Sequence, residues 1–152
     1  MLGRALALVL AVAGLIGGWS PAVAGATAPP RASLQDFVCQ PAANELSRLI
    51  GVTAVMRPML GTQRMQLMFV LQRRLAGRSR FSTVRGRGLG NWLSPLNPTL
   101  GQLPSDVWRV NKPVINLPGP ATYRFRVTFR WVGSSGVIGY QARLSPLCTQ
   151  PR

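Results

Sequence analysis

The chain has no histidine and only three acidic residues, Asp36, Glu45 and Asp106, among 152. Histidine is the usual proton carrier near neutral pH, and without it hydrolytic or transfer chemistry falls back on paired carboxylates. Asp36 falls in an N-terminal lead-in, Glu45 in a turn and Asp106 at a loop end, so the sequence does not set two of them side by side. Lysine is as scarce. Lys112 is the only one, next to Pro113 on an expected strand, where a solvated amine is a simpler reading than the base of a serine–lysine pair. Hard cations want several carboxylates and softer ones imidazole or thiolate, so no metal site is expected. Gly86-Arg87-Gly88-Leu89-Gly90 has the glycine spacing of a phosphate cradle but lacks its strand-to-helix context. These absences point away from an enzyme and from any cofactor, and leave an enzyme of unfamiliar type as the third reading of function.

Cysteine is nearly absent too, and the two that occur, Cys39 and Cys148, lie far apart in sequence. Two thiols without a histidine are half a zinc site, whereas in an exported chain a pair implies one disulfide. Closing a loop of about 110 residues stabilises a fold by roughly 4 to 5 kcal/mol on the chain-entropy model. Export is expected from the first residues: Arg4, an apolar run from Ala5 to Ile16, then small residues through Ala22 and Ala24. The run is shorter than the roughly 20 apolar residues of a bilayer span, and Gly17, Gly18 and Pro21 interrupt it at once. Residues 1–24 therefore read as a signal peptide cleaved after Ala24, with a retained anchor as the weaker alternative. No cysteine follows the run to take a lipid and no apolar tail ends the chain, so no transmembrane span is expected in a mature protein placed outside the cell or at its envelope.

What is present is a series of short period-two segments after an extended lead-in over residues 25–36. Leu49 to Arg57 places Ile50, Val52, Ala54 and Met56 on one side, and Arg64 to Gln72 does the same with Met65, Leu67, Phe69 and Leu71. Phe81 to Val84 is a short strand. Gly86 to Pro104 is an irregular excursion, rich in glycine and proline, held to the core edge by Trp92 and Leu93. Val107 to Leu117 is a strand that Pro113 assigns to an edge or a bulge. In Tyr123 to Trp131 five apolar residues alternate with Arg124, Arg126, Thr128 and Arg130, and after Gly133-Ser134-Ser135-Gly136 the segment Val137 to Leu144 returns as a hairpin partner. The only helical candidate is a turn over residues 42–48.

About seven such strands predict an all-β, two-sheet antiparallel sandwich over residues 37–150, with an up-and-down barrel as the alternative. The run Leu117-Pro118-Gly119-Pro120-Ala121-Thr122-Tyr123 resembles the tyrosine corner of immunoglobulin-like and fibronectin type III domains, in which a tyrosine near the start of the sixth strand bonds back to the preceding connection. As a whole the chain resembles small exported bacterial domains of that build that carry no assigned activity. It departs from antibody domains in its cysteines, which lie on the first and last strands and tie the chain ends instead of pinning one sheet to the other.

The charge is one-sided: 18 lysines and arginines give a formal +15, and 17 of them are arginine. If the third, sixth and seventh strands share a sheet, their outward residues are Arg64, Gln66, Met68, Val70 and Gln72, then Arg124, Arg126, Thr128 and Arg130, then Gln141 and Arg143. Guanidinium forks bind carboxylate and phosphate, so Arg64, Arg124, Arg126, Arg130 and Arg143 are the expected binding residues for an anionic envelope polymer or an acidic protein. The plainer reading is that such arginines keep a strand face wet and discourage edge pairing. Nucleic acid is not expected, because Tyr123, Phe125, Phe129 and Trp131 belong to the core and leave no aromatics on the basic face. The alternative function is a structural or protein-interaction domain acting through residues 86–104. The sequence does not specify oligomeric state.

Overall fold

The alternation over residues 123–131 becomes the spine of the molecule. In a computed structural model that describes residues 28–152, strand β7 (Ala121–Gly133) lies at the centre of the larger sheet, between β3 (Arg64–Leu75) and β8 (Gly136–Leu144). The expected signal peptide, residues 1–24, lies outside the described residues. The short strands β4 (Ser82–Val84) and β5 (Trp92–Leu93) pair with β3, and β9 (Cys148–Gln150) pairs with the start of β7. The smaller sheet has the order β1 (Ala32–Gln40), β2 (Leu49–Met56), β6 (Trp108–Ile115), and every ladder in both sheets is antiparallel. The fold is all-β and sandwich-like, with one 3₁₀ turn at Glu45–Ser47 capped by the Asn44 side chain.

The period-two residues do what the sequence predicts. Met65, Leu67, Phe69 and Leu71 of β3 and Tyr123, Phe125, Val127, Phe129 and Trp131 of β7 are buried against Ile50, Val52, Ala54 and Met56 of β2. Phe69 and Phe125 meet edge to face at 6.0 Å, a geometry in which a positive ring edge faces a negative ring face. The Trp131 indole donates across to the Arg57 carbonyl at 2.7 Å, which satisfies a polar atom that burial would otherwise strand. Pro113 stands on β6, an edge strand, as a residue without a backbone donor should.

The Tyr123 hydroxyl donates to the Pro118 carbonyl at 2.6 Å, the local bond expected of a tyrosine corner. Beside it Arg48 is 3% exposed and donates to the carbonyls of Ala42, Ala43 and Leu117, so a buried cation is solvated by three peptide dipoles. Gly119 lies so close to this clasp that a Cβ would fall 2.6 Å from an Arg48 Nη and 2.0 Å from the Pro151 carbonyl oxygen.

Four expectations need correction. The first strand begins at Ala32, inside the segment read as lead-in, and runs through a bulge between Gln35 and Val38 where Asp36 takes a φ of 50°; a bulge interrupts the alternation that would have revealed it. Arg73, Arg74 and Leu75, beyond the Gln72 end of the expected strand, extend β3. The 86–104 excursion is partly sheet, because Trp92 and Leu93 form β5 and the Gly90 amide donates to the Phe69 carbonyl. The Cys39–Cys148 disulfide, with Cα atoms 5.4 Å apart, joins β1 of the smaller sheet to β9 of the larger one, so it does link the sheets.

Candidate functional site

Residues directly opposite one another on neighbouring strands share a face, so the ladders fix what the larger sheet shows to solvent. Across β3 and β7 the outward pairs are Arg64–Val132, Gln66–Arg130, Met68–Thr128, Val70–Arg126, Gln72–Arg124 and Arg74–Thr122. Arg64, Arg124, Arg126 and Arg130, four of the five predicted binding residues, therefore stand together on one face, and Arg74 joins them.

Arg143 does not. Between Trp131 and Val132 the β7–β8 ladder shifts by one residue: Val132 faces Val137, but Trp131 faces Gly139, which leaves Ile138 as the extra residue. A one-residue slip moves every later side chain of a strand to the other face. Tyr140 thus stands opposite Arg130 and Leu144 opposite Arg126, while Gln141 and Arg143 pair with Phe129 and Val127 on the inner side. There Arg143 reaches past the sheet edge and donates to the Ala32 carbonyl at 3.3 Å.

The same ladders bring aromatic rings to the basic face, contrary to the sequence expectation. Trp92 pairs with Met68, and Tyr140 flanks it at 6.4 Å. The Arg130 guanidinium lies 3.9 Å from the centre of the Trp92 ring, while its Nε donates to Gln66 Oε1 at 2.8 Å. Toward the other end of the sheet the arrangement recurs: Arg124 lies 4.0 Å over Phe81, with Nε donating to Gln72 Oε1 at 2.8 Å, and Arg74 covers the same ring at 5.0 Å. Each ring holds a guanidinium plane by cation–π attraction and each glutamine fixes its rotation. The Nε is used, and the paired terminal nitrogens are left to donate a fork of hydrogen bonds to anionic oxygens. Because guanidinium groups cover Phe81 and Trp92, these rings orient arginines more than they offer platforms for bases.

No carboxylate tempers this face. Among the described residues every arginine hydrogen bond ends on a neutral oxygen: a glutamine amide in Arg109, Arg124 and Arg130, a peptide carbonyl in Arg31, Arg48, Arg57 and Arg143. The three acids sit elsewhere. Asp36 is in the β1 bulge, Glu45 in the 3₁₀ turn, and Asp106 accepts from the amides of Gly101 and Leu103, fixing the loop before β6. Lys112 donates to the Arg87 carbonyl at 3.2 Å. A second basic zone surrounds a cleft at the β3–β4 connection, lined by Arg73, Arg78 and Arg80 with Ser79 and Ser82; Arg73 Nε is buried there without a partner.

Sequence reasoning placed Gln66 and Gln72 on the outer face without counting them among the binding residues, and it missed Phe81, Trp92 and Tyr140 as parts of the site. Phe81 and Trp92 join through β4 and β5, pairings too short to leave a periodic signal, and Tyr140 joins only through the Ile138 bulge. No helix of the described residues is long and apolar enough to cross a membrane, and the disulfide is compatible with an extracellular location. Comparison with known proteins finds no matching family model, curated protein or solved structure.

Proposed function

We propose that the chain is an exported, non-catalytic module that binds an anionic partner at or outside the cell envelope through the outer face of its larger sheet. One observation carries this reading: Arg64, Arg74, Arg124, Arg126 and Arg130 share that face, two of them held by glutamine and an aromatic ring, with no carboxylate among their partners. Arginines that only keep a strand wet need no such support, since a solvated side chain gains its freedom from being unheld. The strand order, β1-β2-β6 against β4-β3-β7-β8, and the Tyr123–Pro118 bond support an immunoglobulin-like build of the fibronectin type III kind. Export rests on the N-terminal sequence pattern and agrees with the disulfide.

The test is co-sedimentation of the oxidised protein, residues 25–152, with envelope fragments over a salt series. Binding that survives about 0.15 M salt, where the Debye length is about 8 Å, and that is lost on changing Arg124, Arg126 and Arg130 together to Gln is the expected result. Undiminished binding by that triple variant discards the reading. A specific observation favours a second one, protein interaction through the 86–104 loop: Leu96 is fully exposed within it, and Leu60 and Leu103 are exposed on the two loops that flank a nearby cleft. Binding that ignores salt and the three arginines but is lost on changing Leu96 and Leu103 to Ser would favour that alternative.

A further inference from the structure

From the repeated arrangement on the sheet we infer that the anionic partner is an extended linear polyanion, grasped at two matched points by Arg124 and Arg130. The inference rests on the reading above and sharpens it. Each point is built from the same three parts: a glutamine from β3 on the arginine Nε at 2.8 Å, an aromatic ring under the guanidinium at 3.9 to 4.0 Å, and a free terminal fork. Arg124 and Arg130 are six positions apart on one unbroken stretch of β7, which at 3.4 Å per residue places them about 20 Å from one another. Between them lie Met68, Val70 and Thr128 and a third cation, Arg126, which is exposed and is held by neither a glutamine nor an aromatic ring. A compact anion reaches one point. A folded acidic protein would have to match two small sites on a flat sheet, whereas a flexible chain with anions at short intervals satisfies both in register with the strand.

Two linked contacts behave differently from a smear of charge. Once a chain is long enough to reach the second point, its binding becomes intramolecular and affinity rises by the effective concentration instead of by one more charge. An extended peptide advances about 3.3 to 3.6 Å per residue, so a chain of about six residues just spans the pair. Shorter chains gain only the screened attraction of the whole face.

The experiment measures binding of α-linked oligoglutamates of about four, eight and sixteen residues, and of linear polyphosphates of matching reach, at constant salt. The expected result is a step of about tenfold or more between chains that cannot and can span the pair. The Arg124→Gln and Arg130→Gln variants should each remove the step while keeping weak binding, whereas Arg109→Gln, on the opposite sheet, should keep it. Whichever series shows the step names the anion as carboxylate or phosphate. A smooth rise with length, insensitive to which arginine is changed, overturns the two-point inference and leaves the anionic face standing. No binding of any polyanion, or equal loss with Arg109→Gln, overturns both. Oligothymidylate binding more tightly than polyphosphate of equal charge would identify a base-stacking site and overturn the inference too.

Discussion

At the scale of single residues, Tyr123 is the most informative. Its hydroxyl is both buried and bonded, and burial pushes the phenol above its ordinary pKa against the opposing pull of the Arg73 guanidinium. A group that holds its proton more tightly when folded adds stability in full below its unfolded pKa, and that stability is lost as pH rises through the folded value. Tyr123→Phe should lower unfolding free energy by about 1 kcal/mol at neutral pH, the usual net worth of one such bond. The same change should flatten the alkaline limb of the stability curve above pH about 10. Urea unfolding at several pH values measures both, and an unchanged alkaline limb would locate the titration elsewhere. This residue was legible in the sequence because its motif is local, spanning Leu117 to Tyr123. Arg48 was not, because its three carbonyl partners come from two separate connections.

At the scale of elements, legibility followed periodicity. β3 and β7 were found with the right faces because nine residues of alternation in each, Arg64 to Gln72 and Tyr123 to Trp131, leave little freedom of phase, although both strands run on past those ends. β8 was found as a strand but assigned the wrong face, since one extra residue at Ile138 is invisible to a pattern rule and reverses everything after it. Ile138 has its own place: its side chain fills the space over Gly133, where a Cβ would come within 2.9 Å of it, and it lies beside Gly61. Ile138→Gly, which removes that side chain but keeps the residue count, should let the ladder run on unbroken from the Gly133–Gly136 turn, carrying Arg143 to the outer face and driving Tyr140 inward. The expected cost is about 1 to 3 kcal/mol of overpacking. Cross-strand nuclear Overhauser contacts would read the change, with the Arg130–Tyr140 pair replaced by Arg130–Gly139; persistence of the native pair would mean that the turn, not Ile138, sets the phase.

At the scale of the whole molecule, the sheets are joined by the core and by one covalent link between strands 109 residues apart in sequence. A crosslink over so long a loop restricts the unfolded chain strongly, and its loss typically costs 2 to 5 kcal/mol. The double change of Cys39 and Cys148 to Ala should therefore lower the melting temperature substantially while leaving the outer face of β3 and β7 intact, because neither cysteine touches it. Thermal unfolding with and without reductant checks this, and a reductant effect on the Ala variant would show that something other than the disulfide is responding. Fold class was legible at this scale because alternation, turns and the cysteine pair agreed. The binding face was legible only in part, since its composition depends on which short strands dock beside β3.

Arginine bonds that end only on amide and carbonyl oxygens have a consequence for how a complex would respond to acid. Guanidinium groups stay charged at every accessible pH, there is no histidine, and none of the three carboxylates is a hydrogen-bond partner of the arginine face. The face is thus an electrode of fixed potential. Any change in grip on acidification must originate in the other molecule, so that a bound carboxylate chain would let go near pH about 4, where carboxyl groups take up protons, while a phosphodiester chain would stay. The protein in this way turns pH into an assay of its partner's chemistry.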